Sequence, residues 1–437
     1  MGFATSRIVI NHNEQACYFH NMSQGGASGS MNFSAATLLH HLSGISDSNE
    51  KVWIYNENKE FFDQSYRAGI IDGDLNVNAI IREAPKGPHL KLLQIETLLR
   101  CNLYCSYCYC EAGKERPEAL SSLQLGEILS DADRLGVLDV DFTGGEFFLR
   151  SDWKELIQEA RRRCFHTSIH TNGMALTERN VAFLAEHAVK KIQISADGMD
   201  AETHNSVRGH PASFQMLLTG MKRAQEVGIP VVVNLMIHNK NVDQVRDAYR
   251  FYSDLGASII VDWIAPFGSA QKEGLGIELQ TYVNALLKVP ELRSLVEASR
   301  PCGRDLGMSH NDIEPYCGVG QSYLFVTATG EMAICPTLTS REDSKAFNGP
   351  LLSDISLYEG WLSHPYFDRY RFVNCRNVST CVAGTECRGG CRATAYIASG
   401  GDVSSPDIIE CNVNKNATMN YVDFAERYAK GDFGIAY

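Results

Sequence analysis

The chain has 437 residues, 44% of them apolar and 21% charged, with a formal net charge of −12. At about 150 residues per domain, that length predicts two to four domains with sizeable cores. The acidic balance excludes a broad electrostatic grip on nucleic acid, which needs a basic face. No apolar run reaches the ~18 residues of a membrane span and no signal peptide opens the chain, so no membrane association and a cytoplasmic location are expected.

Residues 1–85 read as a small α+β unit. Short strands are predicted at Arg7–Ile10 and Ala16–Asn21, a helix from Asn32 to Leu42, a strand at Val52–Tyr55 and a helix from Lys59 to Arg67. Asp72 to Pro88 reads as a linker. From residue 86 to 300 the pattern alternates. An extended apolar run at Leu90–Leu98 is followed by β-branched runs at Val137–Phe142, Thr167–His170, Lys191–Ser195, Pro230–Ile237 and Ser258–Trp263. Helical patterns fall between them at Thr177–Val189, Phe214–Val227 and Val242–Leu255, with Gly228-Ile229-Pro230 and Leu255-Gly256 as stops. About six βα units predict a parallel sheet, open or closed as a barrel, with its chemistry at the C-terminal ends of the strands.

The cysteines are unevenly placed. After Cys17 none occurs until Cys101, and eight of the 14 fall between Cys302 and Cys411. In a large chain without secretory features such clustering points to metal or cluster ligation rather than disulfides. Cys101, Cys105 and Cys108 form a CxxxCxxC triplet directly after the first strand, with the aromatic Tyr107 before the third cysteine. Three thiolates can hold three corners of a cubane iron–sulfur cluster and leave the fourth iron open to a ligand. A zinc knuckle or a redox dithiol are the alternatives; Cys110 stands too close to Cys108 to complete the usual zinc pairing.

This triplet resembles the signature of the radical S-adenosylmethionine (radical SAM) enzymes, and further motifs extend the resemblance. Gly144-Gly145-Glu146 follows the second strand, where the family's GGE contacts the methionyl amine of the cofactor. Asn172 lies in a TNG turn after the third strand, and Ile194-Ser195-Ala196-Asp197-Gly198 ends the fourth. By resemblance, Ser195 and Asp197 line the ribose or carboxylate, and Arg208 pairs with the methionyl carboxylate. The family implies that one electron from the reduced cluster cleaves the sulfonium and that the resulting 5′-deoxyadenosyl radical takes a hydrogen atom from an unactivated carbon. A partial (β/α)6 TIM-like barrel and an electron donor such as flavodoxin or ferredoxin are implied with it.

The later cysteines resemble the SPASM extension of radical SAM peptide maturases, over residues 301–437. Cys317, Gly330 and Cys335, then Cys381, Cys387, Cys391 and Cys411, follow its spacing, although Val378 stands where a cysteine is usual. With Cys375 as substitute, the resemblance implies one auxiliary cluster on Cys302, Cys317, Cys335 and Cys391 and a second on Cys375, Cys381, Cys387 and Cys411, three [4Fe–4S] clusters in all. Two zinc-ribbon-like sites are the alternative that the spacings allow. Cys17, Cys110 and Cys164 are left without a role.

The first 85 residues resemble a RiPP recognition element, a winged-helix-like module that binds the leader of a ribosomal precursor peptide as an added strand. Pro336 stands where anaerobic sulfatase maturases carry a catalytic aspartate, which argues against formylglycine formation. The expectation is therefore a maturase that installs a carbon–carbon, ether or thioether cross-link in a precursor peptide. Another SPASM oxidation, of the sulfatase-maturase or cofactor-biosynthesis kind, is the alternative. Asp262, at the end of the sixth strand, is a candidate carboxylate in the substrate cavity.

Overall fold

The computed structural model describes residues 84–264 but for 114, most of 318–407, a few positions between 270 and 289, and segments 6–12, 17–21, 28–31, 35–39, 48–67 and 77–83. Six parallel strands form its centre: β5 (Leu92–Glu96), β6 (Asp139–Thr143), β7 (His166–Thr171), β8 (Lys191–Ala196), β9 (Val231–Ile237) and β10 (Ser258–Trp263). They pair in sequence order, each parallel to the next, and helices fill the crossovers. This is the predicted partial (β/α)6 barrel.

Side-chain alternation explains both faces. Ile192, Ile194, Val233 and Leu235 are buried in a core shared with the crossover helices. By the pleat, Gln193, Ser195, Asn234 and Met236 then turn to the opposite, inner face. The same parity puts Gln94 and Glu96 of β5, Asp141 of β6, His170 of β7 and Asp262 of β10 on that inner face. A polar inner face against apolar outer rows makes an interior lined for chemistry. Helix ends are fixed locally: Ser121 and Gln124 form a capping box for Ser122–Arg134, and Asp200 caps Ala201–Arg208, which Gly209 ends at φ +68.

The sheet does not stop at β5. A hairpin of β11 (Tyr323–Val326) and β12 (Met332–Ala333) adds to it, β11 lying parallel to β5, so that the order is β10-β9-β8-β7-β6-β5-β11-β12. Gly330 makes the hairpin turn at φ +83, a conformation that suits glycine. The helices Leu357–Ser363 and Pro365–Arg371 then pack back on the barrel. Trp361 is fully buried and donates to the Pro88 carbonyl at 2.9 Å, and Arg134 stacks 3.8 Å over the Tyr358 ring.

Residues of the first unit form a separate four-stranded sheet, order β3-β2-β1-β4, from β1 (Ser6–His12), β2 (Cys17–Asn21), β3 (Ser28–Met31) and β4 (Val77–Glu83). β1–β2 and β2–β3 are antiparallel, and β4 returns parallel to β1. Two expectations are corrected. Val52–Tyr55 is not a strand but part of the helix Ser48–Glu57, joined through Asn58 to the helix Lys59–Arg67. The β-prone side chains of that stretch yield to tertiary packing, with Ile54 buried and Trp53 outward. The stretch read as a linker, Asp72 to Pro88, contains β4, whose pairing with β1 is a long-range event that local pattern does not register. Of the helix expected from Asn32 to Leu42, residues 35–39 are helical and the rest lies outside the described residues.

Candidate active site

Backbone hydrogen bonds tie the loop after β5 to the end of β6. Thr97 N–H donates to Thr143 O at 2.9 Å, Gly145 N–H to Leu98 O at 2.7 Å and Glu146 N–H to Arg100 O at 3.0 Å, which extends the β5–β6 ladder past the end of β6. Gly144 (φ +146) and Gly145 let the two chains approach so closely that a Cβ on Gly145 would lie 2.4 Å from Arg100 O. The glycines of the GGE motif thus serve the cysteine loop first. Its far side docks on the end of the helix Ala201–Arg208, where Ser106 N–H donates to Val207 O at 3.0 Å and Tyr104 N–H to Arg208 O at 3.2 Å.

Each of the three sulfurs meets an N–H donor: Cys101 Sγ from Leu103 N at 3.4 Å, Cys105 Sγ from Arg208 Nη1 at 3.5 Å and Cys108 Sγ from Ala112 N at 3.3 Å. Burial, with Glu146 and the other two thiols adding negative charge, pushes the Cys101 thiol up to about 12. Burial also raises Cys105, against the pull of Arg208. Cys108 is lowered to about 7, chiefly by the Cys110 thiol, whose Sγ lies 3.7 Å away. Three sulfurs with N–H donors suit a cationic iron cluster, which would offset the burial and the neighbouring negative charge that raise Cys101. Among the described residues, no three His, Cys, Asp or Glu side chains converge where one metal ion could sit.

Behind Cys105 lies a buried polar cluster. Arg208, 6% exposed, donates through Nε to Asp197 Oδ2 and through Nη2 to Tyr107 Oη at 2.9 Å, and Tyr107 Oη donates to Asp197 Oδ1 at 2.6 Å. Burial works against the charge on Arg208, but Asp197 outweighs it and holds the guanidinium charged. His204 and His238 close the cluster, and burial holds both neutral, His204 down to about 4. Asp197 is 0% exposed and orients Arg208 and Tyr107.

Glu146 is 1% exposed and accepts from Thr171 Oγ1 at 2.8 Å and from Asn172 N at 2.9 Å. Burial raises its pKa against those hydrogen bonds. Asn172 Nδ2 donates to Asn102 Oδ1 at 2.8 Å, which joins the TNG turn to the cysteine loop. Ser195 sits half-buried on the inner face of β8 beside Asn234. Thus Gly144, Gly145, Glu146, Asn172, Tyr107 and Arg208 all meet at the cysteine loop, and Ser195 lies on the inner face nearby. Asp262 is open to water on β10, yet surrounding protein raises its pKa; Trp263 N–H donates to its Oδ1 at 2.8 Å.

Of the second cysteine set, Cys335 follows β12, Cys375 lies beyond the helix Pro365–Arg371, and Cys391 caps the helix Arg392–Ser399. Cys302, Cys317, Cys381, Cys387 and Cys411 lie outside the described residues. Two features escaped sequence reading. Glu96, 4% exposed at the end of β5, accepts from Ala328 N at 3.1 Å in the β11–β12 hairpin and from Tyr109 Oη at 3.4 Å. His170 and Asp141 meet across β6 and β7, Nε2 to Oδ2 at 3.3 Å. Their only signal was polar residues at inward positions of otherwise apolar strands.

Residues 95–252, the span from the end of β5 through the helix after β9, match the radical SAM superfamily. The chain carries a radical SAM enzyme domain. Two curated relatives are similar in sequence. The sporulation killing factor maturation protein SkfB of Bacillus subtilis is 33% identical over 199 residues, 45% of this chain and 47% of its own. The mycofactocin maturase MftC of Mycolicibacterium smegmatis is 26% identical over 326 residues, 71% of this chain and 80% of its own. The chain thus spans about half the length of the first of these and four-fifths of the second. In fold, Streptococcus suis SuiB bound to S-adenosylmethionine superposes with a TM-score of 0.63 at 15% identity, covering 92% of this chain and 98% of SuiB. The anSMEcpe structure with bound AdoMet gives 0.56 at 16% identity, covering 78% and 98%. The radical SAM domain therefore contains the cysteine loop, Glu146, Asn172, Asp197 and Arg208 as one arrangement. Among the described residues no helix is long and apolar enough to cross a membrane.

Proposed function

We propose that the chain is a cytoplasmic radical SAM maturase that installs a cross-link in a ribosomal precursor peptide. The observation that carries this reading is the cysteine loop, with an N–H donor at each sulfur, at the mouth of a polar barrel interior. The names of the relatives support a peptide substrate: SkfB and MftC are maturation proteins, and SuiB has been crystallised with its precursor peptide SuiA.

Cys101, Cys105 and Cys108 would hold the iron–sulfur cluster, and Glu146, Ser195 and Arg208 would hold S-adenosylmethionine. When bound, this pair supplies one-electron cleavage of the sulfonium and a hydrogen-abstracting radical. The chain does the rest. Glu146, fixed by Thr171 and Asn172, offers a carboxylate to an ammonium in a site without competing water. Asp197 and Tyr107 fix the Arg208 fork against Cys105 and leave it N–H groups for a carboxylate. Inward Gln94, Gln193 and Asn234 provide amides that can orient a peptide backbone.

The N-terminal sheet supports leader recognition, since β3 forms one edge of it and an extended peptide could add there. The second cysteine set would hold two auxiliary clusters, placed near the barrel by the β11–β12 hairpin that precedes Cys335. An external flavodoxin or ferredoxin would deliver the electron.

The test is anaerobic reconstitution with a small peptide encoded beside this chain's gene. The reading expects 5′-deoxyadenosine formation that depends on the peptide, and a product two hydrogens lighter. About twelve irons per chain are expected, falling to about eight in a Cys101/Cys105/Cys108→Ala variant, as cubane stoichiometry requires. About four irons, with zinc making up the balance, would remove the auxiliary clusters from the account.

A further inference from the structure

The barrel interior contains one acid–base pair that the cofactor site does not use. Asp141 lies midway along β6 and His170 near the end of β7, both on the inner face, with His170 Nε2 3.3 Å from Asp141 Oδ2. The side chains are 21% and 10% exposed, so the imidazole is the more open of the two and the carboxylate lies behind it. Asp141 stays ionised: burial pushes its pKa up, but the bonds from His170 and Ser168 and the charge of Lys191 more than offset that and lower it. An ionised carboxylate on Nε2 fixes the tautomer with the proton on Nε2. The lone pair is then on Nδ1, which has no hydrogen bond among the described residues. The next residue, Thr171, holds Glu146, so the imidazole stands one residue along the strand from the anchor of the cofactor site. The charged groups around it come from the two neighbouring strands: Asp141 on β6 and Lys191 on β8.

We infer that His170, oriented by Asp141, accepts the proton that the peptide loses when the cross-link closes. This rests on the maturase reading. Joining two substrate atoms removes two hydrogens. One leaves as an atom to the adenosyl radical, breaking the first C–H bond. The second leaves its carbon or heteroatom as a proton to His170 Nδ1, while one electron passes to an acceptor of the iron–sulfur class. The new bond forms between the two atoms that gave them up. A base held beside the substrate takes that proton directly rather than through bulk water.

The experiment compares wild type, His170→Gln and His170→Ala in the reconstituted full chain with its precursor peptide. Glutamine can still donate to Asp141 but cannot take up a proton. The quantity read is cross-linked product per 5′-deoxyadenosine formed, which does not depend on how much cofactor is cleaved in total. In both variants this ratio should fall at least about a hundredfold, the lower side of what general bases contribute. A ratio in His170→Gln equal to that of wild type, whatever the change in total turnover, overturns the assignment. A wild-type protein that forms no 5′-deoxyadenosine with the peptide overturns the maturase reading itself, and this inference with it.

Discussion

Gly145→Ala should strip the chain of its cysteine-loop iron. The added Cβ would lie 2.4 Å from Arg100 O and 2.7 Å from Leu99 O. Both are backbone atoms, so no side chain can swing away. The loop must instead leave β6, breaking the hydrogen bonds Gly145 N to Leu98 O and Glu146 N to Arg100 O that position Cys101 and Glu146. Overpacking costs about 1–3 kcal/mol, and more where only backbone can give way. The expected result is a loss of about four irons per chain and a clearly lowered melting temperature. Gly126→Ala is the control: it sits in the helix Ser122–Arg134 with nothing within 4 Å of the new Cβ, and should stabilise by up to about 1 kcal/mol. If Gly145→Ala keeps its iron and melts like wild type, the loop is not held by this ladder.

Asp197→Asn is the second large effect. The carboxylate is fully buried and takes the Arg208 guanidinium on one oxygen and the Tyr107 hydroxyl on the other. Removing one partner of such a pair leaves an uncompensated buried charge and costs about 3–5 kcal/mol. Here the orphaned guanidinium lies beside Cys105 Sγ, so iron retention should fall together with stability to denaturant. A paired Asp197→Leu/Arg208→Met variant separates the two consequences. It removes both charges and should recover much of the stability, yet not S-adenosylmethionine binding, because the carboxylate partner is gone. An Asp197→Asn protein within about 1 kcal/mol of wild type would show that Arg208 is held by other means.

These two positions differ in how far the sequence discloses them. The glycines of the GGE motif stand out beside the cysteine triplet, and their packing against Leu98–Arg100 follows from two neighbouring strands. Asp197 also belongs to a recognisable turn, but its partner lies 11 residues on and its second contact, Tyr107, 90 residues back. Spacing along the chain says which residues gather near the strand ends. It does not say what each of the two carboxylates, Glu146 and Asp197, holds: Glu146 takes Thr171 and Asn172, and Asp197 takes Arg208 and Tyr107, pairings that exist only in the assembled barrel. The Val52–Tyr55 stretch failed as a strand because its β-prone composition is a local preference, overridden where Ile54 gains a buried place on a helix.

By itself the sequence determined the six-fold strand–helix alternation, the cysteine triplet after β5 and the motif residues at the ends of β6, β7 and β8. All are local patterns, set by hydrophobic period and by ligand spacing within one loop. Only the tertiary structure decided that β11 extends the sheet beside β5, that Asp197 braces Arg208 against Cys105, and that Asp141 and His170 meet inside the barrel. Each of these joins residues from separate strands or helices. Strand register and the inward turn of polar side chains exist only once the sheet has closed its apolar face against the helices.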